Sequence, residues 1–347
     1  MIKAFDFFCG AGGLTRGLLN AGIQVLAGID NDAGLKLTYE TNNVPSDFLC
    51  KSIRDINITS LRTEYGVGKH DTVLYAACTP CQPFSTLNRM KGKDDRKELL
   101  LAFADLVEIS PPDFILVENV PGLKTAHGKE VYEKFLASIT RAGFMHRYAE
   151  ALDAGKYGVP QVRKRFIMIA SRRGVVVAPK QSDVTAKVED YIRKYPPLKA
   201  GDDAVAYPNH EARPLKPHHK AIVMAVPKDG GSRCDVLDQS ILLKCHQNKP
   251  EVHREVFGRM AWGKQAPTLT SRCTDVYCGR FTHPDQDRGI SLREAAALQT
   301  FSDDYVFHGE SYIHLSRQIG NAVPVKFAQR LGEAIQKSVA GVSVDHE

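Results

Sequence analysis

Apolar and polar positions follow two different patterns along this chain. In the first 173 residues, short apolar runs bounded by glycine, proline or polar residues alternate with stretches of three- and four-residue apolar spacing. Ile2–Phe8, Val25–Ile29, Thr72–Ala77, Phe114–Val117 and Phe166–Ala170 read as strands. Gly13–Ala21, a segment ending near Tyr39, Lys97–Ile109 and Lys129–Ala142 read as helices between them. This alternation predicts an α/β, Rossmann-like domain with a mostly parallel sheet covered on both faces.

Beyond Arg173 the periodicity fades. The stretch from Gly174 to Leu292 holds 10 of the 18 prolines and reads as a smaller, loop-rich second domain. Pro324–Val339 is helical again, with Phe327, Ala328, Leu331, Ala334 and Ile335 on one face, and that face needs a partner in the first domain. The expected division is 1–173 plus 320–347 against 174–319.

Bulk properties narrow the class. A chain of 347 residues with 43% hydrophobic and 25% charged content is that of an ordinary globular protein, and it has no internal repeat. It contains no apolar run long enough to span a bilayer and no signal-peptide pattern at its start, so a cytoplasmic protein without a membrane partner is expected. Eight cysteines in such a chain do not form a disulfide framework. The net charge of +6 is compatible with a nucleic-acid partner, and the Gly174–Leu292 stretch carries most of it, with 18 Lys and Arg against 14 Asp and Glu.

Five motifs carry chemistry. The first is Asp6-Phe7-Phe8-Cys9-Gly10-Ala11-Gly12-Gly13, a strand running into a glycine-rich turn before a helix. Such glycines allow a tight turn and close approach of a ligand to the backbone, and Asp30, twenty residues after Gly10, suits ribose hydroxyls. A dinucleotide fingerprint would have glycine or alanine at position 15, where Thr15 stands. A nucleoside such as S-adenosylmethionine therefore fits better than a nicotinamide dinucleotide.

The second motif, Cys78-Thr79-Pro80-Cys81-Gln82-Pro83, follows the fourth strand-like run. Flanking prolines stiffen the loop, which suits a positioned nucleophile at Cys81. Cys78 reads as a packed structural residue. A zinc site through Cys78 and Cys81 lacks a second ligand pair at usable spacing, so no metal is expected. Glu118-Asn119-Val120, Gln161-Val162-Arg163-Lys164-Arg165 and Gln318-Ile319-Gly320-Asn321 complete the set. Taken singly, each also has a bland reading as solvated loop or packing.

In this order, the motifs resemble the DNA (cytosine-5) methyltransferase family of prokaryotic restriction-modification systems, over nearly the whole chain apart from its proline-rich middle. The resemblance implies Cys81 as nucleophile, Glu118 as the acid beside the base, and Arg163 with Arg165 as the basic pair orienting both. It places Phe8, Gly10, Gly12, Gly13, Asp30, Ile53, Asp55, Leu99 and Asn321 on the S-adenosylmethionine side. Thr268 and Leu269 are similar to the element that ends the family's target-recognition region. Ser52 stands where many members have an acidic adenine contact, leaving Ser52 and Asp55 as alternatives. The implied substrate is double-stranded DNA, the enzyme a monomer, and a cognate restriction endonuclease its separate partner.

The implied chemistry requires these groups. Adding a thiolate to carbon 6 of cytosine makes carbon 5 nucleophilic toward a sulfonium methyl. An arginine close by favours the thiolate, and Glu118 offsets charge developing on the ring. The base must leave the duplex to be reached. Three alternatives stand beside this reading. A transfer-RNA cytosine methyltransferase would share the motifs, and Cys273-Thr274 resembles part of a Cys-Phe-Thr element of that subfamily. A non-catalytic DNA-binding protein would not need Cys81, Glu118, Arg163 and Arg165 together, and a dehydrogenase explains none of the later motifs.

Overall fold

A computed structural model describes residues 1–80, 98–125, 128–247, 249 and 252–342, with the side chain of Val342 left out. The chain divides into two compact units, Met1–Tyr157 with Lys164–Gln181 and Val325–Glu347, and Gly158–Arg163 with Ser182–Pro324. Relative to the expected split, 174–181 and 320–324 change sides and 158–163 joins the second unit.

The first unit is built on seven strands: β1 (Ile2–Phe7), β2 (Gln24–Asp30), β3 (Asp47–Cys50), β4 (Thr72–Cys78), β5 (Phe114–Asn119), β6 (His146–Asp153) and β7 (Lys164–Ser171). Their order is β3-β2-β1-β4-β5-β7-β6. The first five run parallel, β7 runs antiparallel to β5, and β6 antiparallel to β7. Between them lie α1 (Gly13–Asn20), α2 (Lys36–Asn42), α3 (Ile58–Glu64), α4 (Leu99–Ile109) and α5 (Lys129–Arg141), and α10 (Val325–Val342) returns to this unit at the end.

Successive residues of β4 and β5, such as Leu74, Tyr75, Leu116 and Val117, are all buried, as a doubly covered sheet requires. One face carries the main core, where Phe5, Phe7 and Tyr75 meet Phe103 of α4 and Phe135 of α5. On α1, a Cβ at Gly17 would lie 2.3 Å from Ala328 Cβ, so the absent side chain is what lets α10 pack close. The apolar face of Pro324–Val339 thus has the first-domain partner its pattern called for. The sheet order reverses between β1 and β4, and the crevice at the carboxyl ends of those strands is where such sheets bind ligands.

Two strands had no counterpart in the apolar pattern. β3 has only four residues, and β6 is an edge strand whose sequence HRYAEALD buries little besides Leu152. An edge strand has one neighbour and needs no continuous apolar run.

The second unit contains α6 (Val188–Ile192), α7 (Pro217–Ala225), α8 (Leu292–Leu298) and α9 (Tyr312–Asn321), joined by long irregular segments. Irregular backbone leaves carbonyls without ladder partners, and buried arginines supply the donors. Arg259 donates to the carbonyls of Val223 at 2.7 Å, Val226 at 3.0 Å and His283 at 3.0 Å. Arg293 donates to those of Pro208 at 2.7 Å and Ser302 at 2.9 Å. Arg288 forms a bidentate pair with Glu294 at 2.7 and 2.8 Å, both side chains buried. Part of the positive excess of this region therefore serves its own interior: Arg233, Arg259 and Arg288 are buried. No helix among the described residues is long and apolar enough to cross a membrane.

Candidate active site

Three strand ends of the first unit bring the motifs together. β1 ends at Phe7, and Phe8 follows with φ 61°, an uncommon conformation for a bulky side chain and one that collects at functional sites. Gly10 and Gly12 also have positive φ, 56° and 86°, and a Cβ at Gly10 would meet nothing within 4 Å. The turn is tied to β2 by a hydrogen bond from Gly10 N to Asp30 Oδ2 at 3.0 Å, while Asp30 Oδ1 accepts from Asp32 N at 3.0 Å. Burial raises the Asp30 carboxyl above its usual range. Helix α1 starts at Gly13 with Gly12 as its N-cap and no side chain capping it, so its positive end faces the turn.

The fit of this turn to S-adenosylmethionine rests on what the chain leaves open. Asp6, on β1, is fully buried and accepts from Thr15 Oγ1 at 2.7 Å through Oδ2, whereas Oδ1 has no hydrogen-bond partner among the described residues. Burial first, and Asp30 nearby, push the Asp6 carboxyl up to about 7. Thr15 Oγ1 is also 2.9 Å from Tyr39 Oη. Thr15, read from the sequence only as a departure from a dinucleotide fingerprint, is thus the partner that a buried aspartate needs. Asp6 was missed because a single acid inside an apolar strand gives no periodic signal. Space above Gly10, an uncapped helix start, the buried Asp6 and the half-buried Asp30 suit a small cationic nucleoside.

The remaining expected cofactor-side residues are placed separately. Ile53 is buried and opens a short turn, Ile53–Asp55, capped by Ser52 Oγ, which accepts from Arg54 N at 3.3 Å. Asp55 is exposed, and Leu99 is the half-buried first residue of α4. Asn321 lies in the second unit, exposed at the end of α9.

Cys81 lies outside the described residues; the chain leading to it does not. Asn119, at the end of β5, donates to Thr79 O at 3.2 Å and Thr79 Oγ1 at 2.8 Å, fixing the exit of β4 two residues before Cys81. Beside it Glu118 is buried, and its carboxylate takes two donors: Arg165 Nε at 2.9 Å on Oε1 and Cys78 Sγ at 2.9 Å on Oε2. The antiparallel run of β7 puts Arg165, its second residue, at the same sheet edge as Glu118. Cys78, read from the sequence as a packed structural residue, thus makes a polar contact with Glu118.

Arg163 and Arg165 part company. Arg163 belongs to the second unit, where its buried guanidinium donates to the carbonyls of Leu269 at 2.9 Å, Ala322 at 3.1 Å and Gly320 at 3.3 Å. Leu269 is buried too, and its N–H donates to Gln161 Oε1 at 2.9 Å, so both its backbone groups are used inside the unit. Leu269, one of the two residues likened to the end of the target-recognition region, thus has a buried side chain and satisfied backbone groups. Thr268 is exposed and donates through Oγ1 to Val162 O at 2.7 Å. Cys273 is buried against Ser316, and burial pushes its thiol up to about 12, an inert state. Among the described residues no group of three or more His, Cys, Asp or Glu side chains is arranged to hold a metal.

Residues 2–337 match the family model for the C-5 cytosine-specific DNA methylase. The type II methylase M.HgiDII of Herpetosiphon aurantiacus is 36% identical over 345 residues, covering 97% of this chain and 96% of that protein. The type II methyltransferase M1.HphI of Haemophilus parahaemolyticus is 30% identical, covering 96% of this chain and 86% of that protein. In fold, the chain is similar to an E. coli prophage-encoded protein described as a DNA modification methyltransferase, at a TM-score of 0.78 and 21% identity over 98% of this chain and 100% of the other.

Proposed function

This chain is a member of the C-5 cytosine-specific DNA methylase family, and we propose that Cys81 is its nucleophile, with Glu118 and Arg165 holding the target base. It methylates carbon 5 of cytosine in double-stranded DNA with S-adenosylmethionine as methyl donor. The observation that carries the assignment of roles is the pairing of the buried Glu118 with Arg165 beside the strand exit that leads to Cys81.

Phe8, Gly10, Gly12, Gly13, Asp30 and the Ile53–Asp55 turn, with Leu99, are the first-unit residues that would hold the donor. Phe8 offers an aromatic surface, and Asp30 offers the remaining acceptor capacity of its carboxylate to ribose hydroxyls. Bound there, S-adenosylmethionine supplies an electrophilic methyl group on a sulfonium centre. The Cys81 thiolate adds to carbon 6 of the flipped cytosine, breaking the double bond to carbon 5 and moving its electrons into the ring. As charge moves into the ring, the Glu118 carboxyl gives nitrogen 3 a proton and accepts from the exocyclic amine, and Arg165 keeps that group oriented. Carbon 5 takes the methyl group as the methyl–sulfur bond breaks and a neutral thioether leaves; carbon 5 then loses its proton to a base or solvent, the Cys81–carbon 6 bond breaks, and the thiolate and aromatic ring return.

Arg163 acts within the second unit by fixing the 269 and 320–322 segments. The surface of that unit reads the bases flanking the cytosine. The enzyme works as a cytoplasmic monomer, with a restriction endonuclease of the same specificity acting separately. A duplex carrying 5-fluorocytosine at the target site tests the nucleophile, because fluorine cannot leave as a proton does and the adduct persists. Peptide mapping is expected to place that adduct on Cys81. An adduct on Cys78, or none with an active enzyme, overturns the assignment.

A further inference from the structure

Cys78 closes β4 and stands in register with Glu118 on β5. Its thiol donates to Oε2 while Arg165 meets Oε1, both at 2.9 Å, and the Glu118 side chain is only 5% exposed. Water therefore does little to orient this carboxylate. The terminal torsion of a glutamate is broad, so one donor on one oxygen leaves the carboxylate plane free to rock. A second donor on the other oxygen fixes it. A thiol is a weak donor, but the acceptor here is charged and withdrawn from solvent, where such a bond counts for more.

We propose that Cys78 is a positioning residue of the reaction: with Arg165, it fixes the plane of the Glu118 carboxylate against which the target cytosine docks. This rests on the reading that Glu118 binds the base. A cysteine that merely fills space would behave differently, since alanine would replace it well and serine no better. A donor role reverses that order.

The test compares Cys78→Ala and Cys78→Ser with the unchanged enzyme at saturating S-adenosylmethionine. Cys78→Ala is expected to lower kcat about tenfold with KM for DNA changed by less than about twofold, the pattern of a contact that matters in the transition state. Cys78→Ser is expected to recover to within about threefold of the unchanged enzyme, the hydroxyl supplying the lost hydrogen bond. Alanine at the unchanged rate, or serine no better than alanine, overturns the proposal.

An infrared difference spectrum between the unchanged protein and Cys78→Ser isolates the S–H stretch of Cys78. That band is expected below the frequency of a free thiol and returns toward it in Glu118→Ala. A band indifferent to Glu118→Ala means the bond is absent and the proposal fails. If the band responds but Glu118→Ala methylates normally, the bond stands while Glu118 has no part in the reaction, and the positioning role falls with that reading.

Discussion

At the scale of single residues, two acids beside the glycine turn, the half-buried Asp30 and the buried Asp6, behave in distinguishable ways. Asp30 ties the turn to β2 through Gly10 N and, in the proposed site, also receives a ribose. Asp30→Ala is expected to weaken S-adenosylmethionine binding by about 1–3 kcal/mol, the scale of a lost charge-assisted hydrogen bond. Unchanged affinity by calorimetry would remove Asp30 from the site. Asp6 bears on stability instead. Its carboxyl is pushed up to about 7 by burial, against 3.8 for an ordinary aspartate. A folded-state value above the unfolded one means the native chain holds the extra proton, so its contribution is present at low pH and is lost as pH rises through about 7. Without ligand, Asp6→Asn is therefore expected to gain melting temperature relative to the unchanged protein as pH goes from 5 to 8. A difference that stays flat across that range would mean Asp6 does not titrate there.

At the scale of elements, the contact between α1 and α10 has the sharpest sequence requirement. Alanine favours a helix over glycine by about 1 kcal/mol, so Gly17→Ala would stabilise an isolated α1. Here the added Cβ would fall 2.6 Å from Val325 O and 2.7 Å from Gln329 N, backbone atoms that cannot swing aside. Gly17→Ala is accordingly expected to destabilise the protein by about 1–3 kcal/mol, the usual cost of overpacking, read as a lower urea midpoint. A midpoint at or above that of the unchanged protein would show that the helices separate at little cost. At this scale the sequence was legible wherever an element is buried. β1, β4, β5 and α10 carry their burial as apolar runs or faces, whereas β3 and β6 sit at the sheet's edges and carry almost none.

At the scale of the whole molecule, the proposed mechanism separates catalysis from target choice along the chain. In it, Cys81, Glu118 and Arg165 meet one cytosine and carry no information about its neighbours, which would be read by contacts to base edges from another surface. Exchanging residues 182–262 for the matching segment of a relative with a different target is expected to move methylation to the new sequence, with the adduct still on Cys81. Active chimaeras that keep the original site, scored by methylation sequencing of plasmid DNA, would place specificity in the first unit. Phosphate contacts by the exposed basic residues of this segment should also make binding weaken steeply with salt. The buried Arg233 and Arg259 are outside that count, because both donate to backbone carbonyls inside the unit.

The sequence by itself determined the fold class, the order of the motifs and the reaction. Burial of strands and helices is written in apolar spacing, and the chemistry requires a thiol, a carboxylate and cations at particular strand ends. Only the tertiary structure decided how those groups divide the work. Arg163 and Arg165 are two residues apart and indistinguishable by type, yet one is spent on backbone carbonyls and the other on Glu118. Cys78 and Thr15 read as filler and as an exception until β5 and Asp6 stand beside them. The reason is physical: which polar group satisfies which is set by pairings across long sequence separations, and neither periodicity nor residue type records them.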